Sequence, residues 1–393
     1  MLHNIQITST ELRLTCILSM IFALRMSGIF MVLPILPIYA ISLNGSYEYL
    51  VGISIGIYGI MQIIFQLPFG LMSDQIGRKP MIIIGLIIAA VGSEIAAITN
   101  EIWGLIIGRA LQGIGAIGSV IITLLLESIQ EHNRTQAMAI LGISFGITFT
   151  GSIIIGPCIA NTIGLHGLFQ IITLITGFTI ILAFCLIPKK DSSSNNLDHN
   201  INLRDILNNI KIILTNSELL KLNFHIFSLH TVLILNFVIW PKIMTALGCI
   251  PNTYHRTYAI IILISILILL PYLFYMHTRI NKSKILTISI HILALSEFIM
   301  LIAIKSLWLL LVGILLFFIA FNLIESILPD LISKKSPSKY QGTSISIYSI
   351  GQFLGVGLGG VTGGLLLEVY GIQSILFTTF IITLLNIIIH YKL

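Results

Sequence analysis

The chain has 393 residues, of which 56% are hydrophobic and only 9% charged, with a mean hydropathy of +1.02. No water-soluble domain presents such a composition to solvent, so the chain is expected to be an integral membrane protein. Its formal net charge of +6 is then expected to report topology and contact with anionic lipid rather than nucleic-acid binding.

A crossing needs about 20 apolar residues to pass roughly 30 Å of hydrocarbon. About twelve such segments can be placed, at 14–40, 50–71, 81–98, 102–126, 136–160, 167–187, 222–243, 257–276, 285–304, 307–328, 341–366 and 372–391. The first is too long for a removed signal peptide and has no small-residue cleavage pattern, so it is expected to remain as a crossing. Arg25 falls near its midplane, where snorkelling is difficult.

Between the second and third segments runs Gly70-Leu71-Met72-Ser73-Asp74-Gln75-Ile76-Gly77-Arg78-Lys79-Pro80. Gly70 and Gly77 permit tight turns or close helix approach, and Pro80 suits the first turn of the helix that follows. Asp74, Arg78 and Lys79 cannot stay in lipid, so this run must lie at a membrane face. Arg78 has a natural acidic partner in Glu127, at the end of the fourth segment. The fourth segment also carries Gly108-Arg109-Ala110-Leu111-Gln112-Gly113-Ile114-Gly115. A guanidinium in hydrocarbon is costly, so Arg109 is expected to face the bundle interior.

The fifth segment holds Gly146, Gly151, Gly156 and Pro157, small residues for close packing with a proline for a bend. A polar stretch, 188–221, separates an N-terminal six-helix bundle (1–187) from a C-terminal one (222–393). Within it, 192–196 reads as flexible and 203–214 as an amphipathic helix lying on the membrane surface. Trp308 follows Trp103, Gly313 follows Gly108, Lys339 follows Arg134, Ser349 follows Ser144 and Gly351 follows Gly146, each by 205 positions. That constant offset favours a parallel duplication with a central site. The second-half counterpart of the polar turn, 276–284, keeps Arg279, Lys282 and Lys284 without the glycines or the aspartate.

Most lysines and arginines between segments fall on one side of this topology, with Lys242, Arg256 and Lys305 on the other. Both termini are therefore expected to be cytoplasmic. Cys16, Cys158, Cys185 and Cys249 lack metal-ligand spacing and read as small packing residues. The sequence shows no nucleotide-binding glycine loop, no metal cluster and no hydrolase triad, so neither an ATP-driven pump nor a membrane enzyme is supported, and no cofactor or metal is expected.

The run from Gly70 to Pro80 resembles the loop G-x-x-x-D-x-x-G-R-[KR] between helices 2 and 3 of the major facilitator superfamily, and the Arg109 run resembles its second motif. Gly151, Gly156 and Pro157 approximate its antiporter motif, with Ser152 and Ala160-Asn161 departing from the pattern. Leu24 to Pro34, Gly52 to Pro80, Asn133 to Thr135, Leu220 to Phe224 and Gln352 to Val356 together resemble the YajR-type transporters of bacterial inner membranes, over nearly the whole chain. Such proteins often add a small soluble C-terminal domain. The sequence ends at Leu393 just after the last segment, so regulation by that domain is expected to be absent or otherwise supplied.

The resemblance implies an all-α fold of twelve transmembrane helices in two six-helix halves, monomeric in the bilayer, in which Gly70, Asp74, Gly77, Arg78, Lys79 and Glu127 form a conformational lock. The alternative is that Arg78 and Lys79 only set topology. The resemblance also implies that helices 1, 4, 7 and 10 line a cavity, making Arg25, Arg109, His225, His230 and Glu325 the ionisable candidates on lining helices. Glu325 is the first choice for a proton carrier, with an ion-paired structural carboxylate as the alternative. His230 is either a titrating imidazole or a neutral one hydrogen-bonded in the bundle. For Arg109 the alternatives are an influence on a nearby acid or hydrogen bonds to carbonyls of the first helix. Glu94 and Glu297 read as peripheral packing residues. Tyr58, Gln62, Asn236, Asn322, Tyr348 and Gln352 suit a pocket for an amphiphilic molecule, or else make interhelical hydrogen bonds. The function implied is proton-driven efflux of a small compound by alternating access. The alternatives are proton-coupled uptake, or a transport-fold sensor without flux.

Overall fold

The computed structural model describes residues 8–188, 211–250, 253–271, 282–337 and 341–392. The flexible stretch 192–196, Arg279 and all but the end of the amphipathic segment 203–214 lie outside these residues. The main helices, in chain order, are α1 (Ser9–Val32), α2 (Glu48–Ile76), α3 (Arg78–Ile98), α4 (Ile102–Ile114), α5 (Gly118–Ser128), α6 (Arg134–Leu186), α7 (Ser217–Ala246), α8 (Tyr254–Pro271), α9 (Lys282–Ile302), α10 (Leu307–Lys335), α11 (Gln341–Tyr370) and α12 (Ile372–Lys392).

Ten helical stretches among the described residues are long and apolar enough to cross a membrane. One of them, Gln136–Leu186, runs for 51 residues, roughly twice what a bilayer needs at about 1.5 Å per residue. Its backbone leaves helical geometry at Gly164 (φ 74°, ψ −175°) and not at Pro157, so two crossings meet there. With the shorter apolar helix Tyr254–Leu269, the total comes to about twelve. Many large apolar side chains on these helices are exposed, with Leu174, Phe184, Ile147 and Trp308 among the most exposed.

The chain divides into two compact units, Met1–Ser46 with Ile60–Asn196 and Tyr47–Gly59 with Leu197–Leu393. In the first unit α1 lies along α6. Gly156 admits the main chain of Met31 where a Cβ would collide, and Phe30 meets Phe145 and Phe149 edge to face. Gly146 and Gly151 have open space around them, so only one of the three glycines expected to mediate packing does so. The start of α1 is held by a reciprocal cap. Thr8 accepts from Glu11 N, and the Glu11 carboxylate takes Thr8 N at 3.1 Å, Gln130 N at 2.8 Å and Asn133 Nδ2 at 3.0 Å.

In the second unit α11 packs along α7, and Gly355 lets it approach the Phe227 carbonyl. The buried core around Trp240 is aromatic, with Phe237, Phe317 and Phe318 at ring distances of 5.2, 5.3 and 5.7 Å. The first turns of α2 belong to this unit. Gly52, Gly56 and Gly59 face Gly357, Gly360 and Gly364 of α11 so closely that main chain touches main chain. Glu48 pairs with Lys242 at 2.5 Å, and Tyr49 N donates to Glu368 at 2.7 Å.

Candidate functional site

Three polar groupings stand out against the apolar bundle. The first is the turn between α2 and α3. Gly77 there has φ 104° and ψ 151°, backbone that an L side chain rarely adopts. That reversal brings Arg78 back over the last turn of α2, where Nη2 lies 2.5 Å from Asp74 and 2.7 Å from Glu127 at the end of α5. Nη1 also donates to Ser73 Oγ, which itself donates to Gly70 O at 2.6 Å. Lys79 is spent on the end of α6, donating to Phe184 O at 2.6 Å and Ile187 O at 2.5 Å. It thereby satisfies carbonyls that the helix end leaves without partners. Gly70 has nothing within 4 Å of where a Cβ would stand, so no steric demand for glycine exists there.

The second grouping lies inside the first unit. The fourth crossing is broken between α4 and α5, where Gly115 takes φ −67°, ψ 55°, an inverse γ-turn. Ala116 N bonds Ile114 O at 2.7 Å instead of the carbonyl of Gln112, which a continuous helix would have engaged. The orphaned Gln112 carbonyl takes Arg25 Nη2 of α1 at 2.5 Å. The Gln112 side chain accepts from Arg109 Nη1 at 2.7 Å and donates to Ser93 Oγ of α3 at 2.8 Å. Arg25 and Arg109, 5% and 0% exposed, thus meet on one glutamine. Gln112 is not legible as a site residue from sequence, because a glutamine inside a glycine motif carries no charge signal.

The third grouping lies inside the second unit. His230 of α7, Glu325 of α10 and Tyr348 and Gln352 of α11 come together there. Gln352 Nε2 lies 2.9 Å from His230 Nε2 and 3.5 Å from Glu325 Oε1, while His230 Nδ1 faces Ile226 O at 3.2 Å. Glu325 Oε2 and the Tyr348 hydroxyl are buried without a hydrogen-bond partner among the described residues. Phe321 closes one side, its ring 5.7 Å from that of His230. These four side chains were read from sequence as separate proton-coupling and pocket candidates, and the fold makes one cluster of them.

The other pocket candidates are dispersed. Asn236 donates to Glu297 of α9 at 2.8 Å in the core of the second unit, and Asn322 donates to Ser265 of α8 at 3.2 Å. Both therefore serve as links between helices. Tyr58 is buried against Phe353, ring centroids 6.1 Å apart, and Gln62 is buried in the first unit. His225 joins a different chain, facing Asn386 at 2.5 Å and His390 at 3.3 Å. Among the described residues no three His, Cys, Asp or Glu side chains are grouped to hold a metal ion.

The family model described as Major Facilitator Superfamily matches residues 18–248 and 226–393. The chain is 42% identical over 363 residues to the inner membrane transport protein YajR of Escherichia coli (strain K12), covering 92% of this chain and 79% of that protein. It is 29% identical over 190 residues to the class B tetracycline resistance protein of Escherichia coli, 48% of this chain and 47% of that one. Among solved structures, the human organic anion transporter MFSD10 superposes with a TM-score of 0.71 over 98% of this chain and 100% of the other, at 16% identity, a likeness of fold. With its bundle of apolar crossings, its charged α2–α3 turn and these matches over nearly its full length, the chain belongs to the Major Facilitator Superfamily and is a multi-pass membrane transporter.

Proposed function

We propose that this transporter is a proton-driven exporter of a small amphiphilic compound, working by alternating access in the bacterial inner membrane with both termini cytoplasmic. The observation that carries proton coupling is Glu325. Its carboxyl group is buried, makes no ion pair among the described residues and keeps one oxygen without a hydrogen-bond partner. An isolated carboxylate in a bundle is costly unless it takes up a proton, so such a group suits a site that gains and loses one during a cycle. Export is favoured by the likeness of about half of the chain to a tetracycline resistance protein and by the Gly156-Pro157 stretch of α6. The two six-helix halves, 1–187 and 222–393 joined by 188–221, are the moving parts in this reading, and the monomer is the working unit.

Asp74, Arg78 and Glu127 act as the lock that favours one state of the cycle, with Gly77 setting the turn and Lys79 tying it to α6. Arg25 and Arg109 keep the broken fourth crossing in shape beside the path. The chain carries out no covalent chemistry and needs no cofactor.

The test is flux in proteoliposomes under an imposed pH gradient, with a panel of amphiphilic compounds that includes tetracycline. Export-directed flux that collapses with the gradient and is lost in Glu325→Gln supports the proposal. Flux unchanged in Glu325→Gln and Arg109→Ala removes the site assignment. Gradient-driven accumulation in the opposite direction makes the protein an uptake symporter, and ligand binding without flux makes it a sensor.

A further inference from the structure

The cluster of His230, Gln352 and Glu325 has a hydrogen-bonding logic of its own. An amide nitrogen offers two hydrogens and no lone pair. With Gln352 Nε2 at 2.9 Å from His230 Nε2, that ring nitrogen must accept and therefore carries no hydrogen. The Ile226 carbonyl, 3.2 Å from Nδ1, can only accept, so Nδ1 carries the hydrogen. The imidazole is thus neutral and in one tautomer. The second amide hydrogen points to Glu325 Oε1 at 3.5 Å, which leaves Oε2, buried and without a partner, as the position where a proton can be added without moving any other group.

Turning the amide over shows how firmly these choices are tied. Gln352 Oε1 would then face the His230 nitrogen and the Glu325 carboxyl group, so the imidazole hydrogen would have to sit on Nε2, leaving Nδ1 bare against the Ile226 carbonyl, and Glu325 would have to be protonated to donate. That arrangement sets a lone pair against a carbonyl oxygen in a buried site, where an unmade hydrogen bond is costly. The titratable groups beside Gln352 are Glu325 from α10 and Tyr348 from α11, which interacts electrostatically with Glu325 and whose hydroxyl has no hydrogen-bond partner among the described residues. The Phe321 ring covers another side.

We infer that Gln352 is a positioning residue: it holds His230 as the neutral Nδ1–H tautomer and so reserves the cluster's single exchangeable proton for Glu325. This rests on the reading of Glu325 as the proton site, but the tautomer and the carboxyl group have separate signatures. Full-length protein labelled with 15N-histidine in lipid nanodiscs is followed by NMR, with His230 assigned by its loss in His230→Gln. The expected result is a bare Nε2 and a protonated Nδ1 from about pH 5 to about pH 8, with Gln352→Leu making the His230 signals move with pH. The isosteric Gln352→Glu should place a hydrogen on Nε2 by giving it a carboxylate to face. A wild-type His230 that titrates in this window, or that carries its hydrogen on Nε2, overturns the inference. So does a His230 signal that neither Gln352 variant changes. Infrared difference spectra between high and low pH report Glu325 independently, as a carboxylic-acid band missing from Glu325→Gln. Absence of that band in the wild type defeats the proton-site reading, while the role of Gln352 towards His230 is still judged by the NMR result.

Discussion

Arg25 of α1 donates to the main-chain carbonyl of Gln112, 87 positions away, at 2.5 Å, and it does so where the fourth crossing is interrupted. In water a freed carbonyl finds solvent. In a bilayer it must find protein, and here a guanidinium supplies the hydrogen. The buried arginine is therefore the counterpart of the helix break. Arg25→Met should lower the stability of the detergent-solubilised protein by about 1.5–3 kcal/mol, the range of a hydrogen bond to a charged group. Arg25→Lys should recover part of this, because an ammonium can reach a carbonyl but offers no fork. Denaturant-induced unfolding of the two variants checks the order, and equal loss in both would show that the cap is not what Arg25 provides.

The two glycines of the α2–α3 turn are predicted to behave differently. Gly77 sits at φ 104°, and a side chain in that region of backbone space costs about 1–2 kcal/mol. Gly70 is ordinary helix with open space around it, where alanine is favoured over glycine by about 1 kcal/mol. Gly77→Ala should therefore lower the unfolding midpoint and Gly70→Ala should leave it unchanged or raise it. Midpoints that move together would contradict this local geometry.

That contrast marks how far the sequence could be read. Residue type and spacing made the apolar crossings, the charged turn and Arg78 with its acidic neighbours legible, because hydrophobic runs and charges near membranes have few places to go. Whether a motif glycine is needed for its backbone angle, as at Gly77, for close approach, as at Gly156 against Met31, or for neither, as at Gly70, depends on neighbours far away in the chain. The same holds for amides. Gln112 and Gln352 became central only once α1, α3, α7 and α10 were placed around them, whereas Asn236 and Asn322 proved to be ties between helices. One signal lay in plain view without being used, namely the Thr8-x-x-Glu11 spacing of the cap on α1.

For the charged turn itself, stability and function are predicted to separate. Arg78, Asp74 and Glu127 have side chains 17%, 29% and 38% exposed, so solvent screening limits each pair to about 1 kcal/mol or less. Asp74→Asn and Glu127→Gln should thus shift global unfolding only slightly. A bias of about 1 kcal/mol still changes the ratio of two conformers roughly fivefold, enough to alter a transport cycle. Spin-label distance distributions in nanodiscs should show a redistribution between conformers in each variant. Unchanged distributions with unchanged stability would leave Arg78 a topology determinant and no more.

The strictest steric prediction concerns α2 and α11. A Cβ on Gly52 would stand 2.5 Å from both Gly360 O and Gly364 Cα, and one on Gly56 would stand 2.5 Å from Gly357 O. Backbone on both sides leaves no flexible side chain to yield, so even alanine must push the helices apart by several tenths of an ångström. Such a shift forfeits dispersion contacts along the whole seam, since a gap of about 0.5–1 Å already loses a quarter to a half of each contact's energy. It also stretches the Glu48–Lys242 pair at its end. Gly56→Ala and Gly360→Ala are therefore expected to weaken the second unit and to favour any conformer in which the first turns of α2 stand away from α11. Their double variant should cost less than the sum of the singles, because the first substitution has already opened the space the second needs. A disulfide between cysteines at positions 52 and 360, formed readily in an otherwise cysteine-free background with little loss of stability, would show that the seam tolerates separation and that the glycines are not required for it.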